Sequence, residues 1–210
     1  MESIEKIVAK QLLDIKAVKL SPENPFTWAS GWKSPIYCDN RKVLSYPAAR
    51  KVVYNAFVEI IKKNFKDVDV IAGVATGAIA VGMMVAEVLD KPFVYVRPKP
   101  KDHGTGAQVE GDLAPGARVV VVEDLISTGG SSLSAVGALE KSGAIVLGMV
   151  AIFTYNFIKS IRAFENANVE LHTLSHYEAL LEAAAEANYI KAEELDILKE
   201  WRLNPEEWGK

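Results

Sequence analysis

The chain contains a single cysteine, Cys38, so it can form neither an internal disulfide nor a cysteine-rich zinc site, which fits a reducing compartment. It lacks any apolar run of membrane-spanning length, and its start, MESIEKIVAK, carries acids and no signal-like core. The expectation is a cytoplasmic protein that does not enter a membrane. A positive excess is also missing: 24 Lys and Arg stand against 27 Asp and Glu, for a formal net charge of −3. Such a balance exerts no long-range pull on nucleic acid or an anionic membrane, so any anion site must be built from local cations and backbone donors. Internal repeats and low-complexity tracts are absent. With 210 residues, half of them apolar, one well-buried domain spanning 1–210 with a small accessory subdomain is expected, and there is too little chain for two ordinary domains.

What the sequence does hold is concentrated in VVVVEDLISTGGSS, from Val119 to Ser132. Four consecutive β-branched residues predict a strand buried on both faces, because no polar alternation interrupts them. The strand is expected to end at Val122, with the acids Glu123 and Asp124 directly after it. Ser127, Thr128, Gly129, Gly130 and Ser131 then bring hydroxyls and glycines to the start of a helix-like run from Leu133 to Glu140. Glycines let a backbone approach an anion closely, N–H groups at a helix start point at it, and hydroxyls add donors, so this turn has the chemistry of a phosphate cradle. The acids cannot share the phosphate; at the carboxyl end of a buried strand they suit sugar hydroxyls or a metal.

Ile4, Ile7, Val8, Leu12 and Ile15 predict an amphipathic helix over 3–16, followed by a short strand at Val18 to Leu20. FTWASGWKSPIYCDNR, from Phe26 to Arg41, mixes aromatic faces, hydroxyls, a lysine and an arginine around turn signals. It suits stacking on a flat base and gripping a carboxylate, and equally an exposed edge hairpin. A second helix is expected from Tyr46 to Asn64, then a strand from Val68 to Ala72 and the small-residue turn GVATGAIA, where Ala75, Thr76 and Gly77 serve either helix packing or a second anion loop. A strand from Pro92 to Val96 precedes RPKPKDHGTGAQVEGD, residues 97–112, which Pro98 and Pro100 keep from helix and three glycines loosen. Its cations Arg97, Lys99, Lys101 and His103 occupy alternate positions, so an extended chain carries them on one side, as a lid closing over an anion requires. Strands at Ile145 to Phe153 and Asn168 to Leu174 complete a mostly parallel sheet of about five strands flanked by helices. His172 is expected in the core or at a sheet edge, His176 at a helix start, and the Ala-, Glu- and Leu-rich tail in two surface helices bearing Trp201 and Trp208.

The Val119-to-Ser132 segment resembles the 5-phosphoribosyl 1-pyrophosphate (PRPP) signature of type I phosphoribosyltransferases. The hood-like segment FTWASGWKSPIYCDNR and the loop KDHGTG, Lys101 to Gly106, resemble those of orotate phosphoribosyltransferases. The resemblance implies the type I α/β fold, with hood elements at about 1–45 and in part of the C-terminal region and a core at about 46–175. It also implies a Mg2+-dependent glycosyltransferase of pyrimidine synthesis, joining orotate to PRPP to give orotidine 5′-monophosphate and pyrophosphate, and a homodimer with shared active sites. By the same resemblance Lys101, His103 and Asp124 are catalytic. Arg97, Lys99, Lys101, His103, Glu123, Asp124, Leu125, Ile126, Ser127, Thr128, Gly129, Gly130, Ser131 and Thr76 bind PRPP. Ser127, Lys33, Tyr37 and Arg41 bind orotate, and no side chain is assigned as a direct metal ligand, the Mg2+ travelling with PRPP. This sequence departs from the better-known branch at Ala29 and Pro98, where that branch has lysines, and near Thr154 and Tyr155, where it has an orotate-binding arginine. Lys33 or Arg41 is therefore expected to take the orotate carboxylate. Two rival readings are a transferase for another base and a PRPP-sensing regulator without catalysis.

Overall fold

The computed structural model describes residues 2–100 and 107–209. Helix α1 (Ile4–Asp14) starts on Ser3, whose side chain accepts a hydrogen bond from the Lys6 amide. Two small antiparallel ribbons follow, β1 (Val18–Leu20) with β4 (Ile36–Cys38), and β2 (Phe26–Thr27) with β3 (Lys33–Ser34). A 3-10 turn over Asn40–Ser45 leads into α2 (Pro47–Asn64), which has proline in its first turn and Lys62 and Lys63 in its last. Both features favour the helix: proline's fixed φ suits the start, and the cations suit the negative pole.

The main sheet is built from β5 (Val70–Val74), β6 (Phe93–Val96), β7 (Val109–Glu110), β8 (Arg118–Ile126), β9 (Ile145–Thr154) and β10 (Leu171–His176), in the order β10-β9-β8-β5-β6-β7. Five strands are parallel. The sixth, β7, pairs antiparallel with β6 through Tyr95–Glu110 and Val96–Val109 and extends the five expected strands by one. Two residues are too few to show an alternating pattern, so it is invisible in the sequence. Helices α3 (Ile79–Leu89), α4 (Gly130–Lys141) and α5 (Ile158–Asn166) make the crossovers, and α6 (Tyr177–Glu186) and α7 (Ala192–Leu203) close the chain.

The four valines of β8 separate the two faces of the protein. Val120 and Val122 pack into one core with α1, α2, α3 and α6, while Val119 and Val121 pack into the other with α4 and α5. All four are fully buried, and each contributes roughly 1.5–3 kcal/mol by the transfer of its side chain from water. Strand β8 runs on through Glu123 and Asp124 to Ile126 instead of ending at Val122, because its ladder with β9 continues as far as Ile126 opposite Thr154.

The C-terminal helices are not both surface elements. Helix α6 buries Tyr177, Leu180, Leu181, Ala183 and Ala184, and α7 buries Trp201 completely. Trp201 stands among Trp28, Tyr155, Phe157 and Tyr177 with ring centroids 5.4 to 5.8 Å away, and its Nε1 donates to the Lys33 carbonyl. This aromatic cluster ties the N-terminal ribbons and the tail to the end of β9. His176 caps α6 by accepting from the Ala179 amide, and His172 lies on the edge strand beside Glu170. No helix among the described residues is long and apolar enough to cross a membrane.

Candidate active site

Parallel strands put their carboxyl ends on one rim, where the chain must turn and leave backbone N–H groups free. Here the turns after β5 (75–78), after β8 (127–129) and after β9 (155–157) meet the N-terminal ribbons. Two contiguous cavities result. One, of about 390 Å3, is lined by Ala75, Thr76, Gly77, Glu123, Asp124, Ser127, Thr128, Gly129 and Ser131, with Cys38, Asp39 and Arg41 on the ribbon side. The other, of about 740 Å3, is lined by Thr27, Trp28, Ala29, Ser30, Trp32, Tyr37, Tyr155 and Lys159. They share Cys38, Leu125, Ser127 and Thr128 as a common wall.

In the smaller cavity the 127–131 turn is shaped by Gly129, whose φ of +86° is a left-handed backbone that glycine adopts without strain. Helix α4 begins at Gly130 with no side-chain cap on its N-terminus, so its first amides remain available to an anion. Glu123 and Asp124 divide their work by the alternation of the strand. Glu123 is 5% exposed, and both its oxygens are engaged: Oε1 accepts from the Asp124 amide and Oε2 from Ser132 Oγ, each at 2.9 Å. Burial, reinforced by the Asp124 charge, pushes its carboxyl up to about 8. Asp124 faces the 75–77 turn, so closely that Gly77 has no space for a side chain. Its backbone carbonyl accepts from Asn40 Nδ2 at 2.7 Å, which pins the ribbon segment to β8.

The larger cavity is aromatic and hydroxylic. Trp28 stacks at 6.2 Å on Trp32 and tilts at 5.2 Å against Tyr155, giving flat walls. Its Nε1 donates to the Ile36 carbonyl, which fixes the ring. A planar heterocycle with polar edges suits such a space.

Of the residues singled out from the sequence, Glu123, Asp124, Leu125, Ser127, Thr128, Gly129, Ser131, Thr76 and Arg41 line the smaller cavity, and Tyr37 and Ser127 the larger. Ile126 is fully buried beneath the turn, and Gly130 opens α4. Lys33 lines neither cavity; its Nζ donates to Thr27 Oγ1 across the β2–β3 ribbon. Arg41 is held by Asp39, through Nε to Oδ1 at 2.6 Å. Arg97 follows β6, with its amide donating to the Gln108 carbonyl and a buried Nη1 that lacks a hydrogen-bond partner 3.8 Å from Glu110. Lys99 is exposed beyond it. Lys101 and His103 lie outside the described residues.

Sequence reasoning missed Asn40, Trp28, Trp32 and Lys159. Asn40 sits inside the CDNR run that was singled out, and its buried amide becomes informative only when the Asp124 carbonyl is seen above it. Lys159 comes four residues after Tyr155, in the first turn of α5 and directly behind a strand-to-helix turn of the kind that carries ligand contacts in these folds.

No group of three or more His, Cys, Asp or Glu among the described residues is placed to hold a metal. The donor set instead offers Asp124, with Glu123 committed to its own hydrogen bonds. That fits a hard cation such as Mg2+ held by one or two carboxylates and otherwise by substrate phosphate oxygens.

A family model described as "Phosphoribosyl transferase domain" matches residues 40–165. Over 209 residues the chain is 54% identical to an orotate phosphoribosyltransferase of Porphyromonas gingivalis, with 100% of both chains covered. Among solved structures it is similar to orotate phosphoribosyltransferase from Aeropyrum pernix, with 29% identity and a TM-score of 0.76 over 88% of this chain and 99% of that one. It is also similar to Leishmania donovani UMP synthase, with 26% identity and a TM-score of 0.79 over 94% of this chain; it spans 42% of that protein's length.

Proposed function

The chain belongs to the orotate phosphoribosyltransferase family, and on that premise we propose how its two cavities divide the reaction that transfers ribose 5-phosphate from PRPP to orotate. PRPP occupies the smaller cavity with its 5′-phosphate on the 127–131 turn, and orotate occupies the larger one. The observation that carries this assignment is the shared wall of Leu125, Ser127 and Thr128, which puts a phosphate cradle and an aromatic slot side by side at one strand end.

The barrier lies in breaking the bond between the anomeric carbon and pyrophosphate, which leaves positive charge on the sugar and negative charge on the departing group. The Asp124 carboxylate, packed against Gly77 on a backbone that Asn40 anchors through the Asp124 carbonyl, faces the ribose and favours its cationic form. Glu123 braces Asp124 from below through the strand amide. The 75–77 turn and Arg97, Lys99, Lys101 and His103 receive the pyrophosphate; the alternate spacing of these four cations directly after β6 supports this role, since an extended chain carries them on one side. His103 also suits proton transfer, since an imidazole can carry or release a proton under physiological conditions. Orotate's ring nitrogen attacks the anomeric carbon directly, so no covalent enzyme intermediate is needed. A Mg2+ ion, which would arrive with PRPP and which the Asp124 carboxylate would help to hold, would supply charge neutralisation for the departing pyrophosphate.

The resemblance of Lys101 to Gly106 to a loop that reaches a neighbouring subunit supports a homodimer, and the lone free thiol, Cys38, supports a cytoplasmic location. Sedimentation of active enzyme as a monomer only would remove the dimer. The catalytic assignment is tested by following orotate absorbance with PRPP and Mg2+, with uracil, hypoxanthine and adenine as alternative acceptors. Orotate is expected to be consumed selectively, and a chelator to stop the reaction. Preference for another base, or PRPP binding with no turnover, would favour the rival readings.

A further inference from the structure

Orotate carries a carboxylate that must enter a largely aromatic slot, and an anion placed there without a counter-charge pays a heavy desolvation cost. We propose that Lys159 receives that carboxylate and so sets the preference for orotate over uncharged pyrimidines. The proposal rests on the orotate reading above.

Among the described residues lining the 740 Å3 cavity, Lys159 is the one that is charged; the others are aromatic, hydroxylic or apolar. None of the other cations of the neighbourhood lines this cavity. Lys33 donates to Thr27 Oγ1 at 2.9 Å and lines neither cavity. Arg41 pairs with Asp39 on the sugar side. Arg202 donates to the Asn156 carbonyl at 3.1 Å and pairs with Glu178 at 2.9 Å. Ala29 lines the base cavity and offers no cation there. The charge that position 29 lacks is supplied to the same cavity by Lys159, the second residue of α5.

Lys159 is available for the task. Its Nζ pairs with Glu206 Oε1 at 3.0 Å, with the two side chains 65% and 46% exposed. A pair so open to water is weak, so exchanging Glu206 for a substrate carboxylate loses little. Glu206 follows α7 in the tail, which makes it a resting partner for Lys159 when no substrate carboxylate is bound.

Steady-state kinetics on Lys159→Ala and Lys159→Arg, with orotate and with uracil as acceptors, test the proposal. Lys159→Ala is expected to raise the orotate KM by about ten- to hundredfold, the loss typical of a charge-assisted hydrogen bond. The KM for PRPP should stay within about twofold, because the sugar cavity does not include Lys159. The ratio of orotate to uracil efficiency should fall by the same factor as orotate KM rises, and Lys159→Arg should restore most of it. The exposure of Lys159 means that both variants should melt with the wild type. An orotate KM and a base ratio unchanged in Lys159→Ala would overturn the proposal, as would an equal loss of orotate and PRPP affinity. A wild type that prefers another base to orotate would instead remove the underlying reading, and the proposal with it.

Discussion

Asp124 is packed against Gly77 so tightly that a Cβ at Gly77 would lie 2.1 Å from Asp124 Oδ2. The turn after β5 and the carboxyl-terminal end of strand β8 are thereby locked to a common position on the sugar side of the site. Real Cβ atoms do not approach a carboxylate this closely, so Gly77→Ala must displace Asp124 or the 75–77 turn. A misplacement of about 1 Å commonly costs about a hundredfold in rate. We expect Gly77→Ala to lose about that much kcat/KM while melting near the wild type. Steady-state kinetics beside a thermal melt would check this, and full activity would show that Asp124 tolerates the shift.

Glu123 makes stability depend on pH in a direction opposite to that of most carboxylates. Its folded carboxyl titrates near 8 against an ordinary 4.5, because it is buried and lies beside Asp124. Between those values the folded chain retains a proton that the unfolded chain has released, so stability falls as pH rises through the window and levels off above it. Below about 4.5 both states are protonated at this site and the penalty vanishes. Glu123→Gln removes the titration while keeping the shape of the group. It should therefore melt higher than wild type at pH 9 and close to it at pH 4.5, and melting curves at the two values decide the matter. A constant difference at both would assign the effect to packing instead.

The fold was legible where the chain repeats a simple physical pattern. Val119 to Val122 announced a strand buried on both faces, and Ile4 to Ile15 and Ala49 to Ile60 announced helices with one apolar side. Long-range partners were not legible. The continuation of β8 through Glu123 and Asp124 depends on pairing with Ala151, Phe153 and Thr154, which no local signal encodes. Strand β7 exists only because β6 offers an open edge. The phosphate side of the site was visible because glycines, hydroxyls and acids sit in one continuous stretch. The base side was harder: Trp28, Tyr155 and Lys159 come together only after folding, and Lys33 turns into its own hairpin.

Trp201 is the keystone of the aromatic cluster that backs the base cavity. It is fully buried, it contacts Trp28 and Tyr155, which line that cavity, and it donates to the Lys33 carbonyl. Trp201→Ala should destabilise the protein by about 3–5 kcal/mol, the usual range for emptying a buried tryptophan site. Because the cavity walls would also lose their support, the orotate KM should rise in the fraction that remains folded. Urea unfolding gives the first quantity and kinetics below the melting range the second. A loss of under about 1 kcal/mol would show that the cluster repacks around the gap.

The most direct test of the central claim is a crystal structure of the protein with Mg2+, orotate and a non-reactive PRPP analogue. The 5′-phosphate is expected on the amides and hydroxyls of 127–131, the ribose beside Asp124, and the orotate ring in the slot walled by Trp28, Tyr37 and Tyr155. Orotate bound outside that slot, or a 5′-phosphate seated away from the 127–131 turn, would contradict the division of labour between the two cavities.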